Sequence, residues 1–416
     1  MKLTAGIDFG TTNSAVSYME NSIVKMVNFE EGSEFIPTAL FFMAETNKRL
    51  YGSQAIEAFL SQKDGRLIRS MKSILGTVLM DRYTWVNKYA IEFKDIIRYF
   101  ISHLKSKLSA VTGIEEIHAV FGRPVRFHED DDALDKKAET LLREIALASG
   151  FNSAEFQYEP IAAAFQHEQD LGEEKLAMVL DIGGGTSDFA VIKIGRELSK
   201  KTDRSDDILS CTGVKTGGND FDKYLNFNAF MPFLGKDAVM GEKRLPLPSH
   251  VFFQLSDWSG INFMYERDNF RTIRDICRES HNKTETDRLF QLVSSQRAHE
   301  LLGIAEDVKI KLSTQNTVKS VLKPVIDKPE VSVRLNEFND YTEEFFVKIK
   351  SSMNECLKLS GKKGTEIDLV ILTGGSTDMV KIREMTKETF PKAKISDQNK
   401  FSSVSMGLTH DAQRRY

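Results

Sequence analysis

Apolar residues from Leu3 to Phe9 open the chain as a run of strand length, and the polar turn Gly10-Thr-Thr-Asn13 divides it from an alternating stretch at 15–19. With a third strand predicted at 23–29, the start reads as a β-hairpin or meander with polar turn chemistry at its tip. The period then lengthens. Residues 53–75 and 92–112 read as helices, the second with Ile96, Ile97, Phe100, Ile101 and Leu104 on one face. A strand at 117–121 runs into Gly122-Arg-Pro124. The helix predicted from about 133 to 149 stops at Gly150, a residue suited to the left-handed backbone just past a helix.

A second cycle begins near residue 175. Residues 176–182 read as a buried strand, Gly183-Gly-Gly-Thr-Ser187 as a turn and 189–194 as a returning strand. The order strand, Asp, Gly/Thr turn, strand thus occurs twice, at Asp8 and at Asp181, and reads as an internal duplication of one supersecondary unit. Residues 196–212 are charged and loop-like, and 229–300 hold mixed loops and helices. Helices are predicted at 297–312 and about 337–358, a strand at 367–373, a Gly374-Gly-Ser-Thr turn, a helix at 380–389 and a short last helix from Ser403. No Pro/Gly/Ser-rich linker or low-complexity segment interrupts the chain.

At about 150 residues per domain, 416 residues suit two or three domains. The 56 Lys and Arg nearly balance 60 Asp and Glu, for a net charge of −4, so no field draws in nucleic acid or an anionic membrane. No apolar run nears the ~18 residues of a membrane span, and residues 1–9 are too short and too polar for a signal peptide. Cys211, Cys277 and Cys356 lie far apart without CxxC spacing, which disfavours a disulfide scaffold or a thiolate zinc site. The composition therefore predicts a cytoplasmic, soluble, multi-lobed protein with neither nucleic acid nor membrane as a partner.

Several motifs are missing. There is no P-loop, no G-x-G-x-x-G and no G-x-S-x-G. His128, His167 and His299 each precede a Glu but lack a second His four residues on, and Asp8-Phe9-Gly10 has no His-Arg-Asp loop to accompany it. The two glycine-rich turns remain. Small residues at a tight hairpin leave successive N–H groups free to point at one anion, and an Asp at the strand end can hold the water shell of Mg²⁺. Two such turns facing each other read as a clamp on phosphates, with Gly374-Gly-Ser376 as a third glycine loop near the nucleoside.

The strings Gly6-Ile-Asp-Phe-Gly-Thr-Thr12, Glu159-Pro-Ile-Ala-Ala-Ala164, Asp181-Ile-Gly-Gly-Gly-Thr-Ser-Asp188, Gly217-Gly-Asn-Asp-Phe-Asp222, Ala305-Glu-Asp-Val-Lys-Ile-Lys-Leu-Ser313 and Leu372-Thr-Gly-Gly-Ser-Thr377 stand in this order along most of the chain. The set resembles the actin, hexokinase and heat-shock ATPases, and most closely the nucleotide-binding domain of DnaK-type heat-shock chaperones, the seventy-kilodalton class. Around Leu245-Pro-Leu-Pro248 and Asp257-Trp258 it looks more like the YegD subgroup of chaperone-like proteins. The resemblance implies an α/β, actin-like ATPase fold of two lobes, each on a duplicated mixed β-sheet flanked by helices, with nucleotide in the cleft. Lobe I would be 1–171 with an insertion at about 37–112. Lobe II would be 172–395 with an insertion at about 225–335, and 396–416 a C-terminal helix returning to lobe I.

Roles follow residue by residue from the resemblance. Lys72 matches the catalytic lysine beside the γ-phosphate, and Glu159 the glutamate that orients the attacking water, though a Glu before Pro160 also suits the first turn of a helix. Asp8 and Asp181 match the aspartates around hydrated Mg²⁺, and Asp188 one implicated in binding a monovalent cation such as K⁺. Thr11, Thr12 and Thr186 match hydroxyls facing phosphate, in turns lined by Gly10, Asn13, Gly183, Gly184, Gly185, Gly217 and Gly218. Glu306, Lys309 and Ser313 match the ribose- and adenine-contacting helix face, Gly374, Gly375 and Ser376 the third loop, and Pro124 a proline used in signalling between lobes. Four positions depart from the pattern. Asn13 replaces a Tyr, Asp378 an Arg that stacks near adenine, Phe401 an acidic residue, and Ile310 stands where a stacking Arg often lies.

The chain ends about where the nucleotide domain would, so no linker, β-sandwich peptide-binding domain or lid is expected within it. The expected function is a chaperone-like protein without that domain. It would bind ATP or ADP with Mg²⁺, hydrolyse ATP slowly to ADP and phosphate, and act as a nucleotide-dependent switch for a protein partner or client. A sugar-type small-molecule kinase and an actin-like filament protein are the alternatives.

Overall fold

The computed structural model describes residues 2–30, 32–46, 48–86, 89–129 and 131–416. The chain divides into two compact units, one of residues 1–217, 348–377 and 384–416, the other of 218–347 and 378–383.

The first unit is built on two sheets of the same topology. In one, Lys2–Phe9, Asn13–Glu20 and Ile23–Met26 form an antiparallel meander, and Glu116–Arg123 and then Ser153–Tyr158 add in parallel beside Lys2–Phe9. In the other, Lys175–Ile182, Ser187–Ile194 and Ile208–Val214 form the meander, and Leu369–Thr373 and Lys394–Ser396 add in parallel beside Lys175–Ile182. The duplication read from the two Asp–Gly turns therefore extends over five strands in each half.

The helices that follow the two sheets are exchanged. Glu159–His167, which leaves the first sheet, lies chiefly against Lys175–Ile182 and Ser187–Ile194 of the second. Ser403–Arg415, which leaves the second, lies against Lys2–Phe9, Asn13–Glu20 and Glu116–Arg123 of the first. The two helices also pack on each other, in a core shared by Val120, Ile161, Phe165, Val179, Ile192 and Leu408. Small residues permit this approach, because a Cβ on Gly407 would run into the Ala162 carbonyl, and one on Gly6 into the Ser405 carbonyl. Ser17 Oγ donates to Ser405 O (2.7 Å) and completes the seam.

Three expected elements differ. The helix expected over 53–75 is Gly52–Leu60 alone, ended by the left-handed Gln62 at φ 54°. Gly65–Arg69 then pairs with Ala39–Met43 as a strand, and Met71–Ile74 is a single 3-10 turn. The segment expected as loop at 196–212 ends in the strand Ile208–Val214, which begins inside it. Its polar pattern hid it: Ser210 Oγ donates to Cys356 O (2.7 Å) and Thr212 Oγ1 to Ser352 O (2.8 Å), so hydroxyls face the interior where apolar groups were sought. The helix expected over 337–358 is two, Leu335–Tyr341 and Glu343–Leu359, broken at Thr342, whose hydroxyl caps back on Phe338 O at 2.7 Å. Gly150 has the left-handed backbone expected of it, at φ 98°.

The second unit is mainly helical around Phe230, Leu234, Phe252, Ile261 and Leu289, with a cluster of rings from Phe221, Tyr224, Phe338, Phe345 and Phe346. Cys211, Cys277 and Cys356 are free thiols. Among the described residues no helix is long and apolar enough to cross a membrane.

The exchanged-helix seam is testable with two alanines. Gly407→Ala forces a Cβ into backbone and is expected to cost about 3 kcal/mol. Gly303→Ala, inside the helix Ala298–Leu312 with open space at its Cβ, is expected to stabilise by up to about 1 kcal/mol. Calorimetric melting of both variants beside wild type checks the opposite signs.

Candidate functional site

Both Asp–Gly turns lie at strand ends of the first unit. In the first, Asp8 pairs with Ala15 and Phe9 with Ser14, which leaves residues 10–12 as the tip. In the second, Ile182 pairs with Ser187, and the Gly183 N–H donates to Thr186 O at 3.0 Å across the turn. The tips meet: a Cβ on Gly185 would lie 2.8 Å from Thr11 Oγ1, and one on Gly217 2.6 Å from the Gly185 nitrogen. The segments approach too closely for a side chain on Gly185, which faces the Thr11 side chain, or on Gly217, which faces the Gly184 and Gly185 backbone. The third loop adjoins the second turn. Gly374 adopts φ 79°, open to glycine at little cost, and Ser376 Oγ donates to Gly183 O at 3.2 Å. Gly10, Thr11, Thr12, Asn13, Gly183, Gly184, Gly185 and Thr186 are all partly exposed, and Gly375 is exposed.

Beneath the turns lies a floor of charge. Ser70 reverses the chain through a left-handed backbone (φ 57°), and the 3-10 turn after it carries Lys72 inward to 6% exposure. Its ammonium pairs with Glu159, the buried first residue of the helix Glu159–His167. Pro160 follows at a position where a helix needs no N–H, and the positive helix end favours the Glu159 carboxylate. Asp181 and Asp188 are cross-strand neighbours and both buried, and Asp8 is partly buried. Asp188 Oδ1 accepts the Val125 N–H at 2.6 Å, while its Oδ2 is buried without a hydrogen-bond partner.

Four carboxylates against one ammonium set the electrostatics. Burial, then the charge of Glu159, push Asp8 up to about 7, with Lys72 pulling back. Burial and Glu159 likewise push Asp188 up to about 7, against the Thr186 hydroxyl and the Val125 N–H. Asp181 is raised well above the ordinary carboxylate range by burial, then by Glu159, Asp188 and Asp8. Burial works against the Lys72 charge, but Glu159 and Asp8 outweigh it and hold the ammonium above its usual value.

These residues fit a hydrated divalent cation with phosphates. Carboxylates outnumber cations, one buried oxygen lacks a partner, and glycine- and threonine-rich turns close the same strand ends. Among the described residues no group of three or more His, Cys, Asp or Glu is placed to hold a metal by itself. That suits Mg²⁺, which keeps several waters and takes one or two carboxylates plus phosphate oxygens.

Two contributors escaped the sequence reading. The backbone of Val125 holds Asp188, and Arg123 holds that backbone. Its guanidinium pairs with Asp135 at 2.7 Å and with Glu139, and Nε donates to Pro124 O at 3.0 Å. The only signal was the Gly122-Arg-Pro124 string with acids one turn apart on the helix that follows. In the second unit, Lys309 is buried, pairs with Asp222 at 2.7 Å and donates to Gly218 O at 3.0 Å. Glu306 is on the same helix and Ser313 caps its end, while Ile310 is 61% exposed.

Residues 4–95 and 269–413, together more than half of the chain, match the family described as Hsp70 protein. Residues 86–227 match the family described as MreB/Mbl protein. The segment around Leu245-Pro-Leu-Pro248 and Asp257-Trp258 falls outside both matched ranges. The chaperone protein DnaK of Thermotoga petrophila is 23% identical over 420 residues, covering 99% of this chain and 59% of its own. That of Thermosipho melanesiensis is 24% identical over 416 residues, covering 98% and 58%. The chain thus spans about three-fifths of the length of these relatives. With the duplicated sheets, these matches show the actin-like ATPase fold.

The raised carboxylates give a pH test. Asp8 and Asp188 titrate near 7 in the folded chain and near 4 when unfolded, so between those values the folded state holds the extra protons. Their contribution to stability must therefore fall as pH rises from about 4 to about 7. Asp8→Asn cannot ionise and is expected to flatten that decline. Melting curves in chelator at half-unit steps of pH check it, and parallel slopes for wild type and variant would rule it out.

Proposed function

Since the chain belongs to the Hsp70 protein family, we propose that it binds ATP with Mg²⁺, hydrolyses it slowly to ADP and phosphate, and passes its nucleotide state to a protein partner as a change of conformation. The observation that carries this reading is the meeting of Thr11 with Gly185 above the Lys72–Glu159 pair and the three aspartates.

Backbone N–H groups of residues 10–13, 184 and 185, with the hydroxyls of Thr11, Thr12 and Thr186, would receive the phosphates. Asp8 and Asp181 would hold Mg²⁺ through its waters, and the bound ion would neutralise phosphate charge. The Lys72 ammonium would stabilise the charge that spreads over the transferring phosphoryl group, and the Glu159 carboxylate would orient the attacking water. Their mutual ion pair fixes both side chains before substrate arrives. Asp188, with its free Oδ2, is the candidate for a monovalent cation such as K⁺. Gly217, Gly374, Gly375 and Ser376 would contribute on the nucleoside side. The two sheet halves, 1–171 and 172–395, would be the lobes that respond to nucleotide, with 396–416 returning to the first.

Single-turnover phosphate release from Mg-ATP tests the chemistry. Lys72→Ala is expected to slow release by at least about 100-fold while ATP binding survives, and a melting curve with ATP reports that the variant is folded. Equal release from variant and wild type would remove Lys72 from the mechanism. Asp8→Asn and Asp181→Asn are expected to move the Mg²⁺ requirement for ATP binding upward by about tenfold or more, read by titrating Mg²⁺ at fixed nucleotide.

A further inference from the structure

We infer that Phe401, backed by Phe35, is the surface on which the base of the bound nucleotide stacks, an inference that rests on the nucleotide reading above. The two rings lie 5.6 Å apart at 38° and remain 48% and 38% exposed. They line an open groove of about 660 Å³ together with Asn28, Ser33, Glu34 and Asn399.

Each ring is built onto the wall of one phosphate turn. Phe401 meets the third glycine loop edge-on, its Cε1 lying 3.5 Å from where a Cβ of Gly375 would stand. That loop is tied to the second turn through Ser376 and Gly183 at 3.2 Å. The residue before Phe401 is pinned to the same loop, because Lys400 O accepts from Thr373 Oγ1 at 2.8 Å and from the Gly374 N–H at 3.3 Å. Phe35 belongs to the strand Phe35–Pro37, which pairs with Ala15 and Asn13 at the root of the first turn. Phe401 thus stands against the loop that would serve the nucleoside side, and Phe35 on the strand paired at the root of the first turn.

An aromatic face accepts any base, since each has a π-surface to offer. The site is therefore expected to bind Mg-ATP and Mg-GTP with affinities within about threefold of each other. Calorimetric titration of Mg-ATP, Mg-GTP and magnesium tripolyphosphate into wild type, Phe401→Ala and Phe401→Tyr tests the assignment. Phe401→Ala is expected to lose roughly ten- to hundredfold on both nucleotides and to hold tripolyphosphate within twofold, with Phe401→Tyr close to wild type throughout. Undiminished ATP binding by Phe401→Ala would overturn the inference, and so would an equal loss on tripolyphosphate, which would make the ring a prop for the loop. A wild type that binds tripolyphosphate and nucleotides equally well would place the base off the protein and overturn it too. If wild type binds none of the three, the nucleotide reading fails and takes this inference with it.

Discussion

Among the described residues Lys72 is the one ammonium set among Asp8, Glu159, Asp181 and Asp188, and the site is organised by that imbalance. Four carboxylates gathered around one cation cannot all stay ionised out of water, because each desolvated charge needs a partner. Glu159 takes the ammonium, and the aspartates are left to gather protons, which is why Asp8 and Asp188 titrate near neutrality. A fold does not assemble such a cluster for its own stability, since hydrophobic side chains of the same volume would serve better. The cluster makes physical sense when a further cation completes it, and the turns above it offer N–H groups to the anion that would come with that cation.

Holding like charges together requires a frame that does not yield, and the duplicated sheets provide it. Asp181 and Asp188 face each other by strand register, so neither can retreat without breaking the hairpin. Asp8 occupies the corresponding strand end in the other sheet. Glu159 is placed by a helix wedged between the halves, its body fixed by Ala162 against Gly407 and by Phe165 beneath the Arg414 guanidinium at 3.9 Å. The exchange of helices between sheets therefore has a consequence at the site. The helix that follows one hairpin is anchored on the other, so the position of Glu159 is referred to both aspartate turns at once.

Much of this was open to reading in the chain itself. An Asp closing an apolar run, then glycines and a threonine, then a second apolar run, is a local pattern, and it located both turns and the duplication. What stayed hidden depends on contacts distant in sequence. The placement of Lys72 needs a left-handed serine and a 3-10 turn where periodicity suggested continuing helix. The strand Ile208–Val214 carries hydroxyls inward because its acceptors, the carbonyls of Ser352 and Cys356, arrive from about 140 residues later. The hold of Arg123 on the Val125 backbone, and of that backbone on Asp188, runs through main-chain atoms that carry no residue signature.

The two ends of the proposed ligand make unequal demands on sequence. A phosphate cradle is made of backbone, so it depends on residues whose side chains are absent or small, and a Cβ at Gly185 or Gly217 would close it. Nothing substitutes for that geometry, and both glycine turns are intact. A base needs only a flat polarisable face and some polar edge, which guanidinium and phenyl groups can both supply. Lys309 turns inward to Asp222, and Asp378 pairs with Arg383. In the proposed reading the nucleoside end is thus free to vary where the phosphate end is not, and Phe401 set against Gly375 would be the form that it takes in this chain.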